Sequence, residues 1–189
     1  ELLIEINNKE FTTSAIAGTL KKETDSSNLD NFLKDKKELS EHKYVVDDLI
    51  KKISSYSREI TKDNTPEILE LEHLYHLYTP VKGKLKKNTH ILDLANHLHP
   101  TPAVLGTPKD KALDLIIENE PFDRGWYSGY IGWYDLNGNG RFDVTIRSAL
   151  QIDKKLYCYA GGGIVKDSKE IYEWEETELK FQHLLSAIK

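Results

Sequence analysis

Apolar and polar positions alternate over the first part of the chain. The run from Leu2 to Ile6, the polar triplet Asn7-Asn8-Lys9 and a second run that begins at Phe11 are typical of two strands joined by a tight turn. The pattern therefore predicts a β-hairpin that leads into the small-residue segment 15–19. Small residues in that segment allow another group to approach the backbone closely.

The hydrophobic period lengthens to three or four residues over residues 27–60, which predicts an α-helix. Ser26 or Ser27 is a suitable N-cap for this helix. Two acidic residues, Glu38 and Glu41, lie three positions apart on it, beside two lysines. A solvated charged face is the ordinary explanation of such a pattern.

The segment 68–78 alternates again and predicts a strand that Thr79-Pro80 ends. It carries two histidines, His73 and His76. Side chains three positions apart on a strand point to opposite faces, so we do not expect these two histidines to chelate one metal ion.

The remainder of the chain mixes helices and strands. Residues 88–97 and 109–119 have helical periodicity, and the prolines between them separate the two predicted helices. A further helix is predicted from about residue 171. Between these helices lie three strand-like runs, at 127–134, 142–148 and 156–159. The pattern predicts an α+β fold in a single domain, 1–189, without an internal repeat or a linker.

The turn between the first two of these strands has two interpretations. Residues 135–143 place Asp, Asn, Asn, Gly and Asp at positions 1, 3, 5, 6 and 9 of a calcium-binding loop. Position 12, where such a loop has a glutamate, is Ile146, and the flanks are strand-like. We therefore interpret the Asn-Gly pairs as hairpin-turn residues and keep a calcium-binding module as an alternative.

The composition is that of an ordinary globular protein, with 39% hydrophobic and 30% charged residues in a chain of 189. The net charge is −5 and the lysines occur in scattered pairs, which argues against a nucleic-acid-binding surface. No apolar run reaches the length of a membrane span. We therefore expect a small-molecule ligand, and neither nucleic acid nor a membrane as a partner.

Two counts concern the cellular context and the extent of the chain. The single cysteine, Cys158, cannot form an internal disulfide, which suits a cytoplasmic protein. The chain contains no methionine and opens directly on a strand-like run. We interpret it as a fragment of a larger protein, and we expect its truncated sheet to expose apolar surface that favours self-association.

The most informative stretch lies near the C-terminus. Three consecutive glycines, Gly161, Gly162 and Gly163, leave backbone N–H groups accessible to an anionic group. On the helix predicted next, Glu173, Glu176 and Lys180 lie on one face. Such a face can hold a divalent metal and a carboxylate substrate together. A solvated face with weak ion pairs is the more common explanation of this spacing alone.

These residues resemble the C-terminal signature of a known family. The run from Ala160 to Val165, followed by Glu173-Trp174, Glu176-Thr177 and Lys180, is similar to that of the chorismate-utilising enzymes. The family includes isochorismate synthase, anthranilate synthase component I, salicylate synthase and 4-amino-4-deoxychorismate synthase. The resemblance extends over the whole chain. It implies the C-terminal part of an anthranilate-synthase-like chorismate-binding domain, in which sheets flank the active site and helices pack outside.

Within the family, residues 99–108 and 120–129 resemble the isochorismate synthases in particular. Ala17 counts against 4-amino-4-deoxychorismate synthase, which has a nucleophilic lysine in that loop. Salicylate synthase and anthranilate synthase component I remain alternatives, as does a relative without catalytic activity. The sequence does not indicate whether the product enters menaquinone, siderophore or salicylate synthesis.

The resemblance implies chorismate as the substrate and Mg²⁺ as the cofactor. The implied metal ligands are Glu41 and Glu176, with Glu38 and Glu173 supporting the ion directly or through water. Chorismate carries two carboxylates, and Arg147 is a planar cation of the kind that binds one of them. The implied substrate-binding residues are Gly18, Thr19, His76, Tyr127, Arg147, Tyr159, Gly161, Gly162 and Lys180.

The implied reaction adds water at C2 of chorismate and removes the C4 hydroxyl, which requires a base and an acid. Glu1 occupies the family position of the acid. The base of the family is a lysine that lies upstream of this chain. We therefore expect the fragment alone to be inactive.

Overall fold

The computed structural model describes residues 1–22 and 29–188. In this part of the chain the strands are β1 (Leu2–Asn7), β2 (Glu10–Lys21), β3 (Ser57–Lys62), β4 (Glu67–Glu70), β5 (Leu74–Leu85), β6 (Tyr130–Tyr134), β7 (Gly140–Val144), β8 (Ser148–Ile152) and β9 (Lys155–Tyr159). The helices are α1 (Leu29–Phe32), α2 (Lys36–Ser54), α3 (Ile91–Leu98), α4 (Lys109–Asn119) and α5 (Glu170–Ala187). None of these helices is both long and apolar enough to cross a membrane.

Antiparallel pairing dominates the architecture. Seven of the described strands form one sheet in the order β3-β5-β2-β1-β7-β6, with β4 also paired to β5, while β8 and β9 form a separate hairpin. Helices and antiparallel strands thus occur together in the described residues, and the predicted α+β class is confirmed.

The predicted first hairpin is confirmed. β1 and β2 pair antiparallel, with Glu5 opposite Thr12. The turn residues Asn8 and Lys9 have positive φ values of 49° and 68°. A two-residue hairpin turn requires this left-handed conformation, which asparagine adopts more readily than most residues.

The helix predicted over residues 27–60 is shorter than expected. Asp35 caps α2 by accepting two backbone N–H groups of its first turn, whereas the candidate caps Ser26 and Ser27 lie outside the described residues. The helix ends at Ser54, and the following segment is β3, which pairs with β5. The prediction of one continuous helix was wrong, because pairing with a distant strand overrides a local helical period.

The strand predicted over residues 68–78 is in fact two strands. β4 and β5 pair with each other, and β5 continues through Pro80 to Leu85, so the prediction that Thr79-Pro80 ends the strand was wrong. Pro80 lies where the neighbour of β5 changes from β4, which pairs up to Tyr78, to β3, which pairs from Val81. A gap of this kind needs no hydrogen-bond donor on that side, so it tolerates proline.

The last third contains the predicted strands and one more. β6, β7 and β9 overlap the three predicted runs, whereas β8 was not predicted. Arg147 has a positive φ of 46°, which ends the extended run after β7 and separates it from the β8–β9 hairpin. The carboxylate of Asp135 accepts the backbone N–H groups of Asn137 and Asn139, so the β6–β7 connection is the predicted hairpin turn.

In the described residues, a hydrophobic core holds α2 and α3 on the sheet. α2 buries Val45, Leu49 and Ile53, which recur at helical spacing on one face. The core residues of α3 and of the sheet that pack with them are Leu3, Ile4, Ile6, Phe11, Ala15, Ala17, Val81, Leu85, Ile91, Leu94, Ala95, Leu98, Phe142 and Val144. This packing holds the acidic first turns of α2 beside β2.

The two edges of the seven-stranded sheet differ in chemistry. β3, at one edge, carries Arg58, Glu59 and Lys62. β6, at the other, has no charged residue, and Ile131 and Trp133 are 68% and 59% exposed. Charges on an edge strand oppose strand-to-strand association, and an uncharged apolar edge permits it.

We expect the 189-residue chain to self-associate through β6. Sedimentation velocity over a range of concentrations should reveal a species larger than the monomer. Trp133→Lys should return the chain to the monomer, because a charge on an edge strand disfavours pairing. Leu115→Lys, which places the same charge on the exposed surface of α4, should leave association unchanged. Equal behaviour of the two variants would rule out β6 as the contact.

Candidate active site

A bulge in β2 brings the site together. The pairing of β2 with β5 shifts register between Ala17 and Thr19, and Gly18 at the shift has a φ of 80°. A Cβ at this position would crowd its neighbours at 3.2–3.3 Å, so both the conformation and the space require glycine. The Gly18 carbonyl oxygen lies 3.1 Å from His76 Nδ1, and the Thr19 N–H donates to Glu38 Oε2 at 2.7 Å.

The buried ring of His76 connects the bulge to Arg147. Arg147 Nη2 lies 2.6 Å from His76 Nε2. Because a guanidinium only donates, Nε2 accepts and Nδ1 carries the hydrogen that is donated to Gly18. Burial and the charge of Arg147 lower the pKa of His76 to about 4, which keeps the ring neutral. His76 therefore contacts both the bulge and Arg147, which places it beside the predicted substrate-binding cation.

The four predicted metal ligands come from two helices and lie around residues 161–163, the glycine loop. A Cβ on Gly163 would lie 2.6 Å from Glu41 Oε1, and one on Gly162 would lie 3.6 Å from both Glu173 Oε2 and Glu176 Oε1. The backbone of the loop therefore passes directly beside the carboxylates. α2 contributes two of these and α5 the other two: Glu38, Glu41, Glu173 and Glu176.

Two lysines neutralise part of this negative charge. Lys37 Nζ lies 2.9 Å from Glu173 Oε1 and 3.2 Å from Glu38 Oε1. The contact with Glu173 is an ion pair without hydrogen-bond geometry, since Glu173 Oε1 is buried and accepts no hydrogen bond. Lys180 Nζ donates to Glu176 Oε1 at 2.6 Å. The cluster still has more carboxylates than cations.

Glu41 is repelled by the neighbouring carboxylates of Glu176 and Glu38. Within the described residues it takes part in no ion pair. Burial, together with the charges of Glu176 and Glu38, raises its pKa to about 7, while Lys180 and Lys37 act in the opposite direction. Burial also raises the pKa of Glu38. A cation close to Glu41 would offset both effects.

The carboxylate oxygens fit Mg²⁺ in their chemistry, although the side chains are not arranged as a complete set of ligands. Mg²⁺ prefers carboxylate oxygens and uses one or two of them with several waters. Within residues 1–22 and 29–188, no group of three or more His, Cys, Asp or Glu side chains is arranged to hold a metal ion. The raised pKa of Glu41, together with the carboxylates that face it, is the observation that favours a cation here.

Deprotonation of Glu41 should destabilise the metal-free chain as pH rises. The pKa of Glu41 increases from its ordinary value of 4.5 to about 7 on folding. The folded state therefore binds this proton more tightly, and its stability decreases between these two pKa values as pH rises. Glu41 should therefore lower the free energy of unfolding by on the order of 2 kcal/mol between pH 5 and pH 8 in EDTA, while the lowered pKa of His76 acts in the opposite direction over the same range. Urea denaturation at several pH values measures this slope.

Glu41→Gln provides the control for this titration. The amide keeps the shape of the side chain without a charge, so the difference in free energy of unfolding between this variant and the original chain isolates the contribution of Glu41. This difference should move in favour of the variant as pH rises from 5 to 8. Glu178→Gln, on the exposed face of α5, should keep the slope. A difference between Glu41→Gln and the original chain that does not change with pH would show that Glu41 is not the group whose pKa is raised.

The glycine loop also contacts an aromatic stack. The rings of Tyr127 and Tyr159 stack with centroids 5.3 Å apart, and Arg124 lies 5.7 Å over the Tyr127 ring. A Cβ on Gly161 would lie 2.9 Å from the Tyr127 hydroxyl, and Lys180 Nζ donates to the Gly161 carbonyl at 3.1 Å. Four predicted substrate-binding residues therefore meet at this point.

Glu1 lies in the same electrostatic environment. Its carbonyl accepts the N–H of Val144 at 2.7 Å, which places it beside the end of β7. Burial raises the pKa of its carboxyl, and the α-amino group and the charges of Arg147 and Lys180 act in the opposite direction. The predicted acid is thus close enough to the two predicted substrate-binding cations to interact with both.

Three residues contribute to the site without having been predicted. Lys37 pairs with Glu173 across two helices, and His42 is buried beneath the acidic turns of α2. Arg124 donates to both carboxylate oxygens of Glu120 and to the Val104 carbonyl, which holds it over Tyr127. The sequence does contain signals for two of these contacts. His42 lies at helical spacing from the apolar residues of α2, and Glu120 and Arg124 lie four residues apart.

Comparisons with known proteins identify the family. Residues 1–189 match the family described as chorismate binding enzyme. Isochorismate synthase MenF of Bacillus subtilis is 40% identical over 192 residues, which cover 100% of this chain and 41% of MenF. The solved structure of DhbC from Bacillus anthracis has a TM-score of 0.95 at 39% identity and matches 100% of this chain and 52% of its own.

A third comparison extends the likeness beyond the isochorismate synthases. Anthranilate synthase component I from Streptococcus pneumoniae has a TM-score of 0.84 at 31% identity, over 97% of this chain and 42% of its own. The chain spans about half the length of the relatives it matches. Because the family match includes every residue from 1 to 189, the chain belongs to the family of chorismate binding enzymes.

Proposed function

We propose that the protein containing this chain is an isochorismate synthase that uses Mg²⁺ to convert chorismate to isochorismate. One observation carries the proposal: four glutamates and two cations, Arg147 and Lys180, surround the β2 bulge and the glycine loop. Such a mixture suits a dianionic ligand bound together with a divalent ion. Relatives named isochorismate synthase support the choice of reaction.

Chorismate has two carboxylates, and the cluster offers a different partner for each. The Arg147 guanidinium uses one N–H on His76 and has further N–H groups for paired contacts with one carboxylate. Lys180 adds positive charge beside Gly161 at the same end. The other carboxylate, on the ring, would bind at the acidic end through the metal ion.

The contacts of the glutamates indicate which of them would bind the ion. Glu38 already accepts the Thr19 N–H, and Glu173 lies against Lys37. We assign the ion mainly to Glu41, which has no such partner in the described part of the chain, and, as the family resemblance implies, to Glu176, which also accepts a hydrogen bond from Lys180. Glu38 and Glu173 would support the ion directly or through water. When bound, Mg²⁺ would supply the positive charge that fixes the ring carboxylate.

The reaction moves two protons. Water adds at C2 and gives a proton to a base, while the C4 hydroxyl takes a proton from an acid and leaves as water. We assign the acid to Glu1, because the raised pKa of its carboxyl retains the proton at higher pH than an exposed glutamate does. The family resemblance places the base in the part of the relatives that this chain does not span, so we expect the 189 residues to bind chorismate without turnover.

Anthranilate synthase component I is the second candidate, because its solved structure has the same fold over nearly all of this chain. The same cluster of glutamates and cations would bind chorismate for either reaction. The two activities differ in the nucleophile, which is ammonia for anthranilate and water for isochorismate. The product therefore distinguishes them.

Calorimetry and a product assay test the proposal in two steps. Chorismate titrated into the 189-residue chain should give binding heat with Mg²⁺ and none in EDTA. A folded chain that binds no chorismate in either buffer would contradict the chorismate site. The full-length protein, coupled to excess isochorismatase, should then turn over chorismate, whereas anthranilate fluorescence that requires ammonium would favour the second candidate.

A further inference from the structure

His42 connects the acidic helix to two strands beside the bulge. Its side chain is buried, at 3% exposure. Nδ1 lies 3.2 Å from the Ala17 carbonyl oxygen in β2, and Nε2 lies 2.8 Å from Thr79 Oγ1 in β5. A carbonyl oxygen only accepts, so Nδ1 carries the hydrogen and Nε2 of the neutral ring accepts the Thr79 hydroxyl. One side chain of α2 therefore contacts two neighbouring strands.

Two histidines hold successive carbonyls of β2. His42 binds the carbonyl of Ala17, and His76 binds that of Gly18. The Thr19 N–H, the next polar group of the backbone, donates to Glu38 of α2. The bulge is thus held from both sides, by α2 and by β5. Any movement of α2 along the strand would break the contact of His42 and that of Glu38 together.

We infer that His42 is a positioning residue, which fixes Glu38 and Glu41 relative to the bulge and so shapes the site for the divalent cation. Glu41 immediately precedes His42, and Glu38 lies one helical turn before it. The core contacts of α2 lie further along the helix, at Val45, Leu49 and Ile53. His42 is thus a polar contact that holds the acidic turns on the sheet, beside the bond of the Thr19 N–H to Glu38. The role in cation binding rests on the proposed function, whereas the placement of Glu38 does not.

Three substitutions separate the two contacts of the ring. His42→Asn keeps an amide nitrogen near the position of Nδ1 and loses the Thr79 contact. His42→Gln keeps an acceptor near the position of Nε2 and loses the Ala17 contact. Thr79→Val removes the hydroxyl at nearly constant size and leaves His42 in place, so it remains informative if the His42 variants fold poorly.

Thr13→Val is the matched control. Thr13 is also a buried threonine of the sheet, at 1% exposure, and its hydroxyl donates to the Leu3 carbonyl at 2.7 Å. Its loss removes a comparable hydrogen bond at a site that contacts neither Glu38 nor Glu41. This variant shows how the loss of a buried hydrogen bond elsewhere in the same sheet affects Thr19 exchange and Mg²⁺ affinity.

Amide hydrogen exchange at Thr19 measures the placement of Glu38 directly. We expect exchange about fivefold faster in Thr79→Val and His42→Gln, as expected when a buried hydrogen bond is weakened. Thr13→Val should exchange at the original rate. Equal acceleration in Thr13→Val, or no acceleration in the other two, would overturn the inference.

Mg²⁺ titration of the same variants measures the consequence. We expect about tenfold weaker binding in Thr79→Val and His42→Gln, the effect typical of losing a residue that orients metal ligands, and original affinity in Thr13→Val. Original affinity in variants with fast Thr19 exchange would also overturn the inference. If the original chain binds no Mg²⁺, the proposed function fails, and Thr19 exchange alone decides whether His42 positions Glu38.

Discussion

Replacing Glu41 or Glu176 by glutamine in the full-length protein is expected to abolish Mg²⁺-dependent turnover while the fold stays intact. Glutamine keeps the size of the side chain but loses the charge that attracts the cation. We expect a loss of at least about 10²-fold, since even residues that only support metal ligands cost up to about that much. For Glu41, removal of a carboxyl whose pKa is raised to about 7 should stabilise the protein at pH 8.

Glu41→Gln should therefore lose activity while it gains stability, so its loss of turnover cannot be caused by unfolding. Turnover should be measured across Mg²⁺ concentrations, together with thermal unfolding of each variant. Glu178→Gln, on the exposed face of α5, should match the unsubstituted enzyme in both measurements. Near-normal turnover of Glu41→Gln or Glu176→Gln would refute the proposed metal ligands.

Arg147→Lys is expected to lower kcat/KM by about 10²-fold even though the positive charge is retained. A lysine ammonium cannot make the paired contacts of a guanidinium with a carboxylate. It also cannot replace the contact with His76 and bind substrate in the same geometry, so the buried His76 Nε2 would lose its donor. Truncating one partner of a buried charged contact typically costs about 2–5 kcal/mol, and the retained charge places this variant at the lower end.

Arg141→Lys is the matched control for this substitution. Arg141 makes a two-point contact with Asp143, but its side chain is 45% exposed on β7. Its replacement should therefore leave kcat and KM near their original values. Unchanged kcat and KM in Arg147→Lys as well would show that Arg147 does not bind the substrate.

Features of the fold that depend on neighbouring residues could be predicted from the sequence, and features that depend on distant pairing could not. The turn at Asn8 and Lys9 was predicted because its chemistry is local. The end of α2 and the course of β5 through Pro80 were missed because both depend on which strand lies alongside. A pattern of side chains does not reveal where a neighbouring strand stops.

The same division applies to the candidate site. Spacing alone placed Glu173, Glu176 and Lys180 on one helix face, and the observed contact between Lys180 and Glu176 agrees with it. The pairing of Lys37 with Glu173 joins two helices that are far apart in the chain, and no local period predicts it. The three glycines were singled out by their own chemistry, whereas most other site residues were proposed from family resemblance, because an isolated residue such as Arg147 carries no periodic signal.

The position of β1 in the sheet has a consequence for how the chain acquires its structure. β1 lies between β2 and β7, and Leu2 pairs with Asp143, so its two neighbours differ greatly in their distance along the chain. The hairpin with β2 can form as soon as a few residues are available, whereas the second edge of β1 stays open until most of the chain has been synthesised. Pairings of such long separation slow folding and leave a strand edge exposed meanwhile. We therefore expect the sheet to close last at its centre, with the nascent β1–β2 hairpin as the segment most in need of a chaperone.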